Sequence, residues 1–168
     1  MKIKSLYISA GEKNVGTLFV SMGMMEVLKR NLHRVAFFRP IIVSKNIRDK
    51  DIDFILSRYN LDEEYEDAYG FEKDYVEAMI ASKRTDELIN QLIEKFKRLE
   101  ESYDFVLCEG IRRSFLTPNI EYDLNMLLAQ NFGSSIVNII NAKDRSIEDI
   151  YENILIEKEN FLSHECSH

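Results

Sequence analysis

The sequence predicts an α/β fold in which a parallel sheet is flanked by helices. Four short apolar runs, residues 3–9, 35–38, 105–108 and 136–140, have the continuous pattern of strands that are buried on both faces. Helical periodicity occupies the segments between these runs. Strands that alternate with helices indicate a parallel sheet with right-handed crossovers, and ligands then bind beyond the carboxyl ends of the strands.

Six segments have helical periodicity. The first has an apolar face made of four residues: Val20, Met24, Val27 and Leu28. The last opens with a capping-box-like pair, Ser146 and Asp149. In chain order, the predicted helices are residues 17–32, 50–59, 72–82, 85–102, 121–132 and 146–162.

The length of 168 residues suits one domain with a substantial core. We expect residues 1–163 to form a single α/β domain and residues 164–168 to be a frayed tail. Of the two cysteines, Cys108 lies inside an apolar run and is predicted to be a small buried side chain.

The net charge of −7 disfavours nucleic acid as a partner, because nucleic-acid binding usually needs a basic surface. No apolar run approaches the length of a membrane span, and the apolar stretch near the start of the sequence is too short for a signal peptide. We therefore expect a cytoplasmic protein that contacts neither membrane nor nucleic acid.

The stretch SAGEKNVGTLF, residues 9–19, lies between the first predicted strand and helix. Gly11 and Gly16 have the spacing of the phosphate-binding loop G-x-x-x-x-G-K-[ST], but Thr17 and Leu18 stand where the lysine and the hydroxyl belong. Lys13 is a candidate to reach back over a phosphate. The stretch is compatible with a nucleotide site, with the remnant of one, or with a plain strand-to-helix turn. The candidate ligand-binding residues are Gly11, Glu12, Lys13, Asn14, Gly16 and Thr17.

Two further candidates follow predicted strands. Glu109 ends the run YDFVLCE, and an acid at this place in P-loop proteins commonly holds magnesium. The alternative is a carboxylate that emerges into solvent. Arg39 follows the second strand, where it could bind an anion, although a surface ion pair with the acidic segment that follows is favoured.

The last five residues, HECSH, match the zinc-protease pattern H-E-x-x-H. We interpret the match as coincidental, because chain termini fray and a zinc site needs a stable helix and a third ligand. No metal site is predicted.

Several separated segments resemble one family, in order along the chain: LYISAGEKNVGTLFVSMGMMEVLKR, VAFFRPII, DIDFILSRYNLDEEYEDAYGF and YDFVLCEG. They resemble the N-terminal P-loop domain of the long-form phosphotransacetylases (phosphate acetyltransferases), which is similar in fold to dethiobiotin synthetase and the cobyrinic-acid amidases. The resemblance implies a sheet in the order 34–39, 104–109, 2–9, 135–140. It also places Gly11, Lys13, Asn14 and Gly16 in the loop, Glu109 at the strand-end acid, and Arg39 where dethiobiotin synthetase has a substrate-side lysine.

In that family, a separate C-terminal domain exchanges acetyl between coenzyme A and phosphate, and the N-terminal domain is implied to be regulatory or structural. The resemblance implies a further strand after the last helix, so SHECSH suggests a truncated or split version. We expect a noncatalytic domain with a degenerate loop, a weakly bound nucleotide or phosphate-containing ligand at most, and no other cofactor. The alternatives are an ATP-dependent carboxylase or amidase of the dethiobiotin synthetase type and a nucleotide-sensing module.

Two partners are expected: a separate catalytic phosphotransacetylase chain and further copies of this chain. Self-association is expected because the run SIVNII, residues 135–140, is apolar, lacks proline and charge, and lies at an edge of the implied sheet.

Overall fold

The computed structural model describes residues 4–10, 12, 15–112 and 116–165. Five strands of these residues form one parallel sheet in the order β3-β2-β4-β1-β5. The strands are β1 (Ser5–Ala10), β2 (Val35–Ile42), β3 (Tyr69–Glu72), β4 (Phe105–Glu109) and β5 (Ser135–Ile139). The predicted fold class and the predicted order of β2, β4, β1 and β5 are confirmed.

The six predicted helices are all present, with shifted ends. They are α1 (Thr17–Asn31), α2 (Lys50–Arg58), α3 (Lys73–Ala81), α4 (Thr85–Ser102), α5 (Pro118–Phe132) and α6 (Ile147–Glu165). Helix α5 begins earlier than predicted, with Pro118 at its first position, where a missing N–H costs nothing. Helix α6 continues to Glu165, three residues beyond the predicted end.

The central strands are buried on both faces, as their continuous apolar runs predict. All eight residues of β2 are buried. Phe38 packs edge-on against Phe96 and Phe132 on one face of the sheet, whereas its neighbour Phe37 belongs to the core on the other face. Cys108 in β4 is also fully buried, which confirms the sequence prediction.

Strand β3 was not predicted. It has only four residues and pairs with the outer edge of β2, from Arg39 opposite Tyr69 to Ile42 opposite Glu72. A Cβ at Gly70 would lie 2.3 Å from the Pro40 carbonyl oxygen and from Leu92 Cδ2. Glycine is therefore required where β3 passes between β2 and α4, although it weakens the strand signal in the sequence.

The other edge of the described sheet is β5, and α6 lies beside it. Half-buried Ile150, Asn153 and Glu157 face the domain, and Asn138 of β5 donates to Glu157. A different stripe of α6 is apolar and between 41% and 81% exposed: Ile147, Tyr151, Ile154 and Leu155. An exposed apolar stripe beside an edge strand is typical of an interaction surface.

We propose that a second copy of this chain covers this surface, with the two β5 strands and the two α6 stripes packed about a twofold axis. Each stripe offers four large apolar side chains that are 41–81% exposed. A stable interface buries at least about 1,000 Å² in total, so both stripes and both strand edges would have to take part.

Sedimentation velocity over a range of concentrations tests this pairing. The parent chain should dimerise, and both Val137→Lys in β5 and Tyr151→Lys in α6 should shift it to monomer, because each places a charge in the apolar contact. Val27→Lys is the control, since Val27 is equally exposed on α1. A parent chain that stays monomeric at every concentration, or a Tyr151→Lys variant that dimerises like the parent, would contradict the proposal.

The Glu63 side chain accepts a hydrogen bond from the edge of β2 near the start of that strand, where no described strand pairs with this edge. Its carboxyl is 6% exposed and accepts a hydrogen bond of 2.7 Å from the Phe37 amide, on a part of β2 that the short β3 does not reach. Its Oε1 has no hydrogen-bond partner among the described residues. Burial raises the pKa of Glu63 from 4.5 to about 8, with smaller contributions from Asp67 and Asp62, although the Phe37 amide opposes the rise.

The raised pKa of Glu63 makes the free energy of unfolding depend on pH. Because native Glu63 keeps a proton that the unfolded chain releases, its contribution to the unfolding free energy falls as pH rises from 4.5 to about 8. Within this window the slope contributed is about 1.4 kcal/mol per pH unit. Urea denaturation at several pH values should show that slope removed in Glu63→Gln and kept in Glu64→Gln, an exposed neighbour. Equal slopes in the parent and Glu63→Gln would contradict the assignment.

Candidate functional site

The described residues of the turn from β1 into α1 are Glu12, Val15 and Gly16. Gly16 is the residue before the helix and has φ of +83°, which favours glycine. Its carbonyl accepts the first helical hydrogen bond, from the Val20 amide at 3.2 Å. Glu12 forms an ion pair of 2.7 Å with Arg145, which precedes α6. The candidates Gly11, Lys13 and Asn14 lie outside the described residues.

A pocket of about 400 Å³ opens beside this turn at the carboxyl ends of β1 and β4. Four of the predicted site residues line it: Glu12, Gly16, Thr17 and Glu109. The structure therefore brings the described residues of the loop and the strand-end acid together at the edge of the sheet where a parallel α/β fold binds ligands. Arg39 is not at the pocket surface but lies behind Glu109, with which it forms an ion pair.

Glu109 is 1% exposed, and both of its carboxylate oxygens are engaged. Arg39 donates to Oε1 at 2.6 Å, and Ser21 donates to Oε2 at 2.9 Å. The Thr17 hydroxyl approaches Oε1 at 3.4 Å. The carboxylate thus faces protein donors rather than solvent.

Arg39 is fully buried at the centre of a group of carboxylates. Besides Glu109, it donates to Asp49 at 2.6 Å and lies 3.6 Å from Asp51. Its Nε has no hydrogen-bond partner among the described residues. Arg39 therefore forms ion pairs, but the predicted surface location was wrong, because β2 carries Arg39 into the interior and its partners are Asp49 and Glu109.

Each charged side chain in this group stabilises the ionised form of its partner. Burial alone would lower the pKa of Arg39, but the carboxylates of Glu109 and Asp49 outweigh it and raise that pKa. Burial likewise opposes ionisation of Asp49, and the Arg39 guanidinium holds the pKa of Asp49 below its ordinary value. Asp49 also caps α2 by accepting from the Asp51 and Ile52 amides, so the ion pair fixes the start of that helix.

Arg112 is a site residue that the sequence analysis missed. It lies on the segment after β4, is 34% exposed, lines the pocket and donates to Asp51. Its Nε lies 3.8 Å from Glu109 Oε1. The signal that could have found it is its position three residues after Glu109, in EGIR. Its partner Asp51 is 61 residues away in the chain, and no local pattern indicates that pairing.

Gly110 and Asn125 hold the end of β4 in place. A Cβ at Gly110 would lie 2.6 Å from Asn125 Oδ1 and from Tyr7 Cε1, so only glycine fits. Asn125 accepts from the Tyr7 hydroxyl at 2.6 Å and from the Ile111 amide at 2.8 Å. This buried network fixes the backbone that presents Glu109 and Arg112.

The residues present do not fit the magnesium ion that a P-loop site would hold. A strand-end acid binds magnesium directly or through water, whereas both oxygens of Glu109 already accept hydrogen bonds from protein groups. The parts of the chain that the structure describes contain no group of three or more His, Cys, Asp or Glu side chains placed to hold a metal ion. Residues 166–168 of the HECSH tail are not among them.

A parallel sheet, a glycine-opened helix after β1 and an acid at the end of β4 define a P-loop-type α/β domain. The chain belongs to the family described as an AAA domain, whose model matches residues 4–163.

The chain is similar to two kinds of curated protein. It is 36% identical over 148 residues to a phosphate acetyltransferase of Nitratidesulfovibrio vulgaris, covering 87% of this chain and 21% of that enzyme. A phosphate acetyltransferase of Synechocystis is 26% identical over 164 residues, 96% of this chain and 24% of the enzyme. An ATP-dependent dethiobiotin synthetase of Caldicellulosiruptor saccharolyticus is 27% identical over 119 residues, 64% of this chain and 48% of the synthetase.

These matches confirm the resemblance to the dethiobiotin-synthetase-like domain of phosphotransacetylase. The chain spans less than a quarter of the length of either matched acetyltransferase. None of the described helices combines the length and the apolarity that crossing a bilayer requires.

The buried ion pair should be essential to the fold. Arg39→Met leaves Glu109 and Asp49 buried without their cation, and we expect a loss of about 3–5 kcal/mol in the free energy of unfolding. Urea denaturation at neutral pH measures this loss. The matched control is Arg30→Met, which breaks an exposed ion pair with Glu26 and should have a small effect. Equal losses in the two variants would show that the buried group does not organise the domain.

Proposed function

We propose that this chain is a noncatalytic regulatory domain that acts with a phosphotransacetylase, and that its pocket binds a phosphate-containing ligand weakly without hydrolysing it. One observation carries the proposal: Gly16, Thr17 and the strand-end acid Glu109 line one pocket, and Arg39 forms an ion pair with that acid. The similarity to two phosphate acetyltransferases supports the choice of enzyme.

Binding and hydrolysis are affected differently by these changes. The N-terminus of α1 still favours an anion. The missing lysine removes a charged hydrogen bond of about 1.5–3 kcal/mol, or one to two orders of magnitude in affinity. Thr17 takes the place of that lysine and points its hydroxyl at Glu109. Charge that develops during phosphoryl transfer would therefore lack both the lysine and a metal, which disfavours catalysis more than binding.

The similarity to a dethiobiotin synthetase supports a second candidate, an ATP-dependent ligase of that type. That activity needs phosphoryl transfer from ATP, which Thr17, Leu18 and the engaged Glu109 all disfavour. The third candidate function for the same pocket is that of a nucleotide sensor, which binds a nucleotide without hydrolysing it. Hydrolysis of ATP by the isolated chain separates the ligase from the other two.

A reconstitution experiment tests the regulatory role. The purified chain alone should release no phosphate from magnesium ATP above background and should form no acetyl phosphate from acetyl coenzyme A. The N. vulgaris enzyme is then made without the segment that matches this chain, and with this chain fused in its place. The fusion should change the response of acetyl phosphate formation to added ATP, ADP or phosphate.

The controls decide between the candidates. Clear phosphate release by the chain alone would favour the ligase and overturn the noncatalytic assignment. A fusion whose rate and ligand response match those of the shortened enzyme would overturn the regulatory assignment. A Gly110→Ala fusion should lose any ligand response, because a Cβ at this position disturbs the end of β4.

A further inference from the structure

Glu109 is held by an internal cation at the place where a P-loop site would hold magnesium. The Arg39 guanidinium lies 2.6 Å from Oε1, is fully buried, and cannot be deprotonated under ordinary conditions. Ser21 occupies the other oxygen. A divalent cation at Glu109 would have to displace Arg39 and would then lie beside a buried positive charge, which Coulomb repulsion opposes.

The pocket itself offers a different cation to a ligand. Of the described residues that line it, Arg112 is the one with a positive charge. Its guanidinium donates to Asp51, which is itself 3.6 Å from Arg39, so Asp51 remains partly neutralised if Arg112 turns toward the pocket. Arg112 is also partly exposed, whereas Arg39 is enclosed by its carboxylates.

We propose that the pocket binds its phosphate-containing ligand without a divalent cation, and that Arg112 is the side chain that contacts the phosphate. This inference rests on the proposed ligand binding by the same pocket. In this proposal Arg39 pairs with Glu109 where a P-loop protein would have the metal ion. Arg112 makes the contact with the phosphate that the metal ion would otherwise make. A planar guanidinium suits this contact, because it can donate two parallel hydrogen bonds to phosphate oxygens.

Calorimetric titration of the whole chain with ADP, once in excess magnesium and once in excess EDTA, tests the metal requirement. The dissociation constant should be the same within about threefold in both buffers, which corresponds to less than one charged hydrogen bond. Binding that occurs in magnesium alone would overturn the inference and leave the proposed ligand binding standing. Absence of binding in both buffers would overturn the proposed ligand binding itself.

Arg112→Gln tests the contact residue. The variant should weaken ADP binding in EDTA by about 10- to 100-fold, as expected for loss of a charged hydrogen bond. Arg48→Gln is the matched control, since Arg48 is exposed, pairs with Asp53 and does not line the pocket. Parental affinity in Arg112→Gln would overturn the role of Arg112.

A second variant keeps the test decisive if Arg112→Gln fails to fold. Asp51→Asn removes the charge that holds Arg112 and keeps the shape of the side chain. It should strengthen ADP binding in EDTA, because the guanidinium is released toward the ligand. Unchanged or weaker binding in a folded Asp51→Asn variant would count against Arg112 as the contact.

Discussion

The fully buried guanidinium of Arg39 is the interaction on which this end of the domain depends. It joins β2, which carries it, to the end of β4 through Glu109 and to the start of α2 through Asp49. A buried charge costs several kcal/mol unless it is paired, so the fold is stable only when these elements meet in register. The same contact closes the Glu109 carboxylate to solvent and thereby determines the chemistry of the pocket.

Strands and helices with strong local patterns could be predicted from the sequence. The continuous apolar run of β2 indicates burial on both faces, and the order of four strands follows from the family resemblance. Strand β3 could not be predicted, because its four residues include Gly70 and it forms only against β2. Glu63 is a related case, since its carboxyl accepts a hydrogen bond from the Phe37 amide at the edge of β2 and no local pattern around Glu63 indicates that contact.

The candidate site was predictable in position but not in its contacts. The loop spacing and the strand-end acid locate a pocket that contains Gly16 and Glu109. The hydrogen-bonded ion pairs of Arg39 with Asp49 and Glu109, and of Arg112 with Asp51, join residues 10, 70 and 61 positions apart. No local sequence pattern indicates pairings over such separations. Arg39 follows a strand and precedes a proline, which indicates a loop at the surface. The structure instead continues β2 through Pro40 to Ile42, and the interior position of Arg39 results.

Pro40 explains how the strand can continue. Proline donates no hydrogen bond, so it is tolerated only where the partner strand needs no donor. In the register of β2 and β3, Arg39 lies opposite Tyr69 and Ile41 opposite Phe71, and Pro40 lies between them opposite Gly70. Its carbonyl passes so close to Gly70 that no side chain fits there. Gly70 thus lets β3 pack against the part of β2 that contains Pro40, directly after the residue that pairs with Glu109.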